Sequence, residues 1–399
     1  MSEFIIINNK KYNIEKWKIY HPGGDCFTDY NGQDCTAIFN AFHNNMNMNM
    51  NISSILSKLE LPKYDENKLS DIDSEYIILH KLFTELGFYN IDKNYYLKKI
   101  LFILFLLCGA IYFNNKIAIV AGCMLGLSIQ QSGFLSHDIG HNYVLSKING
   151  IFNKKYKYIW SFIFGNIMFG VDGLNWYQNH NKHHYTTCVP GKDIQNDHLP
   201  FILYKKSELD ILPFKLNSLY NFLRDYQWLY ILPMLFIFGK FNILFDIDNR
   251  QLIGEKKFSR ICGIMIHIII WFLFINSSIN PLIFTLSGLF FNSIIYLQII
   301  LSHAFMPRIT MDEIYTKGWI ISQANTTINI KTSWYDDWFH GGLQYQLDHH
   351  LFPLIPRHNL KKIQPYVQKF CTNHNIKYNI ISFSKAIFEF IKSLYRGMY

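Results

Sequence analysis

Three histidine clusters punctuate the chain: His137-Asp138-Ile139-Gly140-His141, His180-Asn181-Lys182-His183-His184 and Gln346-Leu347-Asp348-His349-His350. On a helix, residues three and four apart share a face. His137 and His141 can therefore address one centre. His180, His183 and His184 do the same at i, i+3, i+4, and Gln346, His349 and His350 repeat that spacing with glutamine in the first place. His303 ends a long apolar run, at the depth expected of His137. This makes eight candidate imidazole ligands: 137, 141, 180, 183, 184, 303, 349 and 350. A tetrahedral zinc takes four ligands, so eight converging rings point to two metals, and nitrogen donors suit iron, copper or zinc. A single histidine is more often a core or surface residue. Three clusters of matched spacing are poorly explained that way. No Glu-x-x-His pair is present, which separates the pattern from carboxylate-bridged bundles. Asp138, Asn175, Asn181 and Asp348 are placed to orient ring nitrogens, while Gln346 is grouped with the catalytic set. His340 stays open between ligand and donor to a ligand. His80, His198, His267, His358 and His374 read as structural, His267 being odd for its place inside an apolar run.

A second constellation lies near the N-terminus. His21-Pro22-Gly23-Gly24 precedes Gly32-x-Asp34-x-Thr36-x-x-Phe39 and His43. Two histidines on opposing elements can hold heme iron from both faces of the ring, with Gly23 and Gly24 letting the backbone turn beside it. The bland alternative is a surface turn with two unrelated histidines. After His43 the tract Asn44–Asn51 alternates Asn and Met and reads as a loop elaboration.

These residues need elements to carry them. Half of the 399 residues are hydrophobic and only 17% are charged, against about a quarter in soluble proteins. Crossing a bilayer takes roughly 20 apolar residues. Four stretches qualify, at about Leu97–Phe113, Ile117–Ser136, Ile261–Ile279 and Leu282–Ser302. Trp160–Gly170 and Trp228–Phe245 read as surface or re-entrant helices. Residues 62–75 form a charged linker. Lys98, Lys99, Lys154, Lys155, Lys157, Lys256, Lys257, Arg260 and Arg308 flank one set of span ends, which the positive-inside rule puts in the cytosol with every histidine cluster. The net charge of +9 follows those ends and forms no basic stripe, so no nucleic acid is expected. Seven scattered cysteines without a CxxC pair argue against a disulfide framework. A cleaved signal peptide is not expected, since no cationic stretch followed by a long apolar one opens the chain.

The N-terminal string resembles the cytochrome b5 core, closely over about Ile14–His43, which implies heme b with His21 and His43 as axial ligands. From about Tyr95 to Leu360 the clusters resemble the membrane fatty acid desaturases. Trp338-Phe339-His340-Gly341-Gly342-Leu343-Gln344-Tyr345-Gln346-Leu347-Asp348-His349-His350-Leu351-Phe352-Pro353 is similar to the last box of the front-end subgroup, in which glutamine leads; Gln344 and Asp348 stand where asparagine and glutamate are commoner. The resemblance implies a di-iron centre and a cis double bond inserted between an existing one and the carboxyl end of an acyl chain, at Δ5 or Δ6. The expected architecture is a small α+β heme domain (1–75), a linker and pre-membrane helix (76–96), an all-α polytopic membrane domain with interfacial helices and a cytosolic histidine cap (97–360), and a cytosolic C-terminal segment (361–399).

Breaking an unactivated C–H bond lies beyond acid–base side chains and calls for a metal and O2. The expected partners are NADH-cytochrome b5 reductase, an acyl-CoA or phospholipid acyl substrate, O2 and a lipid bilayer, that of the endoplasmic reticulum. Two rivals share the metal site: a sphingolipid desaturase and a lipid hydroxylase. A third, a non-enzymatic electron carrier, would have no use for eight further imidazoles.

Overall fold

A computed structural model describes residues 3–15, 17–18, 20–21, 26–43, 52–62, 69–142, 144–145, 147–148, 151–193, 195–196, 202, 218–245 and 257–396. The Pro22–Gly24 turn, Asn44–Asn51 and His198 lie outside these residues, as do 63–68 of the charged stretch.

The N-terminal unit opens with a hairpin of β1 (Phe4–Ile7) and β2 (Lys10–Asn13), paired Phe4 to Asn13. Asn8 and Asn9 both take positive φ, 49° and 62°, the tight-turn geometry that asparagine tolerates. Alternation along β1 buries Ile5 and Ile7. Helices α1 (Thr36–Phe42) and α2 (Ile52–Leu59) follow. Then α3 (Asp71–Glu85) begins under a Ser70 cap that accepts from the Asp73 N–H. The last part of the expected linker is thus the first turn of a helix. Asp71 and Asp73 complement the positive end of its dipole, which is why an acidic run folds there.

Among the described residues, four helices are long and apolar enough to cross a membrane: α4 (Lys93–Phe113), α5 (Ala118–Asn142), α10 (Lys257–Ser277) and α11 (Pro281–Leu301). Between α5 and α10 come the short pair β3 (Lys147–Ile148) and β4 (Ile151–Phe152), α6 (Lys154–Ser161), a π-helical segment (Phe162–Phe169), α7 (Gly173–Tyr185), α8 (Ser218–Asp225) and α9 (Gln227–Phe245). The Trp160–Gly170 stretch is therefore the end of α6 running into the π-helix. That π-helix closes through Gly170 N–H to Gly165 O at 2.8 Å, and His267 Nδ1 reaches its Ile167 carbonyl at 2.9 Å. The odd histidine of the third span is a brace for that widened helix.

The spans form two inner and two outer helices. Only 22% of α4 and of α10 is buried, against 72% of α5 and 61% of α11. Leu101, Leu104, Phe105, Ile269, Phe272 and Leu273 on the outer pair stay exposed, as lipid-facing side chains must. The inner pair approaches closely at Gly122 and Gly126, where an added Cβ would sit 2.4 Å from the Phe284 and Gly288 carbonyl oxygens respectively. Small residues four apart permit such backbone contact between membrane helices. At the far end the two tight turns are tied together, Asn114 Nδ2 donating to Phe274 O at 2.9 Å and Ser277 Oγ at 2.8 Å. The C-termini of α5 and α11 consequently share the opposite end, where the histidines gather.

Beyond the spans come α12 (Met311–Lys317), α13 (Trp319–Thr326), β5 (Asn329–Lys331), α14 (Asp337–His340), α15 (Gln346–Leu351) and α16 (Arg357–Asn373). The strand β6 (Ile380–Ser382) then pairs in parallel with β5, and α17 (Phe383–Arg396) ends the described chain.

Candidate metal and heme sites

The last turns of α5 carry His137 and His141, so the first cluster lies inside the span helix and not after it. α7 carries the second cluster, α15 the third, and His303 stands just past α11. Seven of these histidines fall into two groups whose ligand atoms lie within 4.8 Å of one another: His137, His141, His180 and His349 in one, His183, His303 and His350 in the other. His184 sits beside both, its Nε2 3.2 Å from His180 Nε2 and its ring 4.2 Å from that of His350. Helical spacing predicts one shared face for each cluster; the fold keeps His137 and His141 in one group but splits the other two clusters, since His180 and His183 part company, as do His349 and His350.

The donor set fits metal. His137 Nε2 and His180 Nε2 are 3.1 Å apart, close to the edge of about 3.3 Å that a tetrahedron gives at the ~2 Å bond of an imidazole to a metal such as zinc. Both His141 ring nitrogens, His184 Nδ1 and His349 Nε2 are buried without a partner, a costly condition unless a ligand satisfies them. Gln346 joins the second group, its Nε2 3.3 Å from His303 Nε2 and 3.2 Å from His350 Nε2. Its Oε1 is buried and unpartnered. A half-turn of the amide would aim that oxygen at the same centre, an exchange that leaves the shape unchanged.

Acceptors behind the rings set their tautomers. His183 Nδ1 lies 2.9 Å from Asp193, His303 Nδ1 2.9 Å from Thr326 O, His180 Nδ1 2.7 Å from Gln195 Oε1 and His350 Nδ1 2.7 Å from Gln323 Oε1. Gln323 is itself held by donating Nε2 to His184 O at 2.8 Å. A carbonyl or carboxylate can only accept, so the proton sits on Nδ1 and the Nε2 lone pair turns inward. Burial, and then the neighbouring imidazoles, holds His180, His184, His349 and His350 well below the usual histidine range, and His303 down to about 3. They are neutral and ready to ligate. Burial alone would raise the Asp193 carboxyl, but His183 and the Cys188 N–H hold it below its ordinary value.

The residues expected to orient ligands largely do something else. Asp138 is 3.4 Å from His137 Nδ1 but makes its short contact, 2.7 Å, with Arg357 Nε. Asp348 accepts from Asn329 Nδ2 at 2.7 Å and from the Tyr378 hydroxyl at 2.8 Å, and burial, partly offset by those bonds, lifts it to about 7. Asn181 Oδ1 is buried without a partner, and the Asn175 side chain lies outside the described residues. His340 joins neither group; its Nδ1 takes Gln298 Nε2 at 3.2 Å. The groups that contact the ring Nδ1 atoms are instead Asp193, Gln195, Gln323 and Thr326. The sequence signal for Asp193 and Gln195 is a run of polar residues soon after the second cluster; Gln323 and Thr326 carry none. Of the histidines read as structural, His80 bonds the Tyr89 hydroxyl at 2.6 Å and His374 pairs with Glu75 at 2.7 Å.

His21 and His43 face each other with ring centroids 6.0 Å apart. Two imidazoles sharing one iron, each bond about 2 Å long and each ring centre roughly 1 Å further on, span about this distance. His43 Nδ1 lies 3.0 Å from Phe39 O, which frees Nε2. Burial first, then His21, lowers His43 to about 4.

Comparison with known proteins places this geometry. Residues 115–382 match the fatty acid desaturase family and residues 2–96 the cytochrome b5-like heme/steroid binding domain. The chain belongs to the fatty acid desaturase family: it is an oxidoreductase with a cytochrome b5-like domain fused ahead of a helical membrane domain. It is 30% identical to a Delta(8)-fatty-acid desaturase of Borago officinalis over 98% of this chain and 89% of that one. An acyl-lipid (9-3)-desaturase of the same plant is 28% identical over 96% and 87%. A Delta 8-(E)-sphingolipid desaturase of Komagataella phaffii is 30% identical over 81% and 62%.

Proposed function

We propose that the protein is a front-end acyl desaturase that takes two hydrogens from adjacent methylenes between an existing double bond and the carboxyl end of an acyl chain. The observation that carries this reading is the pair of histidine groups at the mouth of the two inner spans, each bringing its ligand atoms within 4.8 Å of one another. His137, His141, His180 and His349 would hold one iron, and His183, His303 and His350 the other, with His184 between them and Gln346 beside the second. An iron pair supplies the O2 activation that C–H cleavage demands. Asp193, Gln195, Gln323 and the Thr326 carbonyl keep the Nε2 lone pairs directed at the metals, and burial excludes bulk water. His21 and His43 would hold heme b, fed by an NADH-cytochrome b5 reductase. The lysine-rich span ends support a cytosolic site on the endoplasmic reticulum membrane.

Resemblance of the last box favours Δ5 or Δ6 regiochemistry. The likeness to a sphingolipid desaturase favours a second reading, in which the substrate is a long-chain base. Expression in a host lacking polyunsaturated lipids, with defined acids fed and both acyl chains and long-chain bases analysed by mass spectrometry, tests both. New double bonds confined to acyl chains support the first reading and confined to bases the second; a hydroxyl product or none refutes both.

A further inference from the structure

The two histidine sites meet at one side chain. Phe42 precedes His43 in the chain and closes α1. Its ring makes edge contacts with His184 and with Tyr185, at centroid distances of 6.0 and 6.1 Å. Hydrogen bonds and an ion pair hold the N-terminal unit in that position. Tyr30 donates its hydroxyl to the Tyr185 carbonyl, Tyr315 donates to the Asp29 carbonyl, and Lys192 Nζ pairs with Asp29 at 2.5 Å. Tyr30 is 3% exposed, so this is a buried joint and not a grazing touch. His43 is meanwhile stacked on Phe39 at 4.4 Å and 13°, which fixes the backbone from which Phe42 projects.

We propose that Phe42 is the electron conduit between the heme-binding histidine pair and the metal-binding histidines. The proposal rests on the functional reading above. Electrons tunnel better through bonded and tightly packed atoms than across a gap. One peptide link joins His43 to Phe42, and one van der Waals contact joins Phe42 to His184. Each transfer would move a single electron through the ring, from a heme held by His21 and His43 to a non-heme metal pair held by the other histidine groups. Two such transfers, with two electrons and two protons from the substrate and two protons from solvent, reduce O2 to two waters and leave one alkene. The reductant that refills the heme is a reduced nicotinamide acting through its reductase. Phe42 itself undergoes no net change.

The test uses full-length protein in bilayer discs, loaded with heme and iron. The heme is photoreduced without O2, and its reoxidation by the non-heme pair is followed at the heme absorption band. Phe42→Ala is expected to slow that phase by about tenfold, with heme spectrum, heme potential and non-heme iron content unchanged; Phe42→Tyr, which keeps the ring, is expected to restore most of the rate. An alanine variant as fast as wild type overturns the proposal, and so does a tyrosine variant as slow as alanine. Absence of any reoxidation phase in the wild-type protein, with no non-heme iron bound, instead defeats the dimetal reading on which the proposal stands.

Discussion

His349 and His350 are neighbours in the chain, yet their rings stand at 87° with centroids 6.1 Å apart and turn into different histidine groups. One short helix therefore serves both centres. Replacing either residue with alanine is expected to cut desaturation on the order of 100-fold or more, since even partners behind a ligand cost 10–100-fold. Non-heme iron should fall in both variants while heme content, read from the absorption band, stays at the wild-type level. Loss of heme in step with iron would contradict the separation of the sites.

Asp193 is fully buried and accepts from His183 Nδ1, the Cys188 N–H at 2.8 Å and the Asn196 N–H at 3.2 Å. Asp193→Asn keeps the shape but replaces an acceptor-only group by an amide. The His183 tautomer is then no longer fixed. A loss of about 10–100-fold in iron affinity or turnover is expected, measured by iron titration of the apoprotein. An unchanged titration curve would remove Asp193 from the site.

Lys157 is buried on α6, where its Nζ donates to Gly140 O at 2.9 Å and lies 3.7 Å from the Tyr177 ring centre. Burial lowers its pKa to about 7. Between that value and the ordinary lysine range, near 10.4, the unfolded chain binds the proton and the folded one does not. Stability must then rise with pH through this window. Relative to a Lys157→Met variant, the wild type should gain thermal stability steadily from neutral pH towards about pH 10. A flat difference would show that Lys157 keeps its charge.

The helix pair at the centre of the membrane domain offers a test of packing. A Cβ at Gly126 meets backbone, 2.4 Å from Gly288 O and 3.1 Å from Asn292 N, whereas a Cβ at Gly109 meets only the side chain of Met124. Thioethers swing aside and carbonyls do not. Gly126→Ala should cost about 1–3 kcal/mol and Gly109→Ala markedly less, read by unfolding in detergent. Equal costs would mean that α5 and α11 can separate freely.

Sequence made the spans legible because their length is a direct count against bilayer thickness, and it made the clusters legible because helical period is a local property. Its reach ended where partners are distant in the chain. Periodicity put His180 and His183 on one face, but at arm's length from the helix axis the two imidazoles diverge, and only the opposing His141, His303 and His350 decide which centre each joins. Gln323 and Thr326 support rings from other elements and show no pattern of their own. Asp138 and Asp348 lie inside clusters, so adjacency drew them towards the metals; Arg357 and Tyr378, far along the chain, claim them instead. The π-helix and its His267 brace leave no periodic trace either.

Strand β6 lies beside β5, with Asn329 opposite Ile380, and Tyr378 just before it bonds both Asp348 and Asn329, which in turn accepts the Leu347 N–H at 2.8 Å. The scaffold of the third cluster is therefore incomplete until the polypeptide has been translated past residue 382. By then all four spans have left the ribosome. On the proposed reading, iron would be captured late, by a chain already threaded into its bilayer.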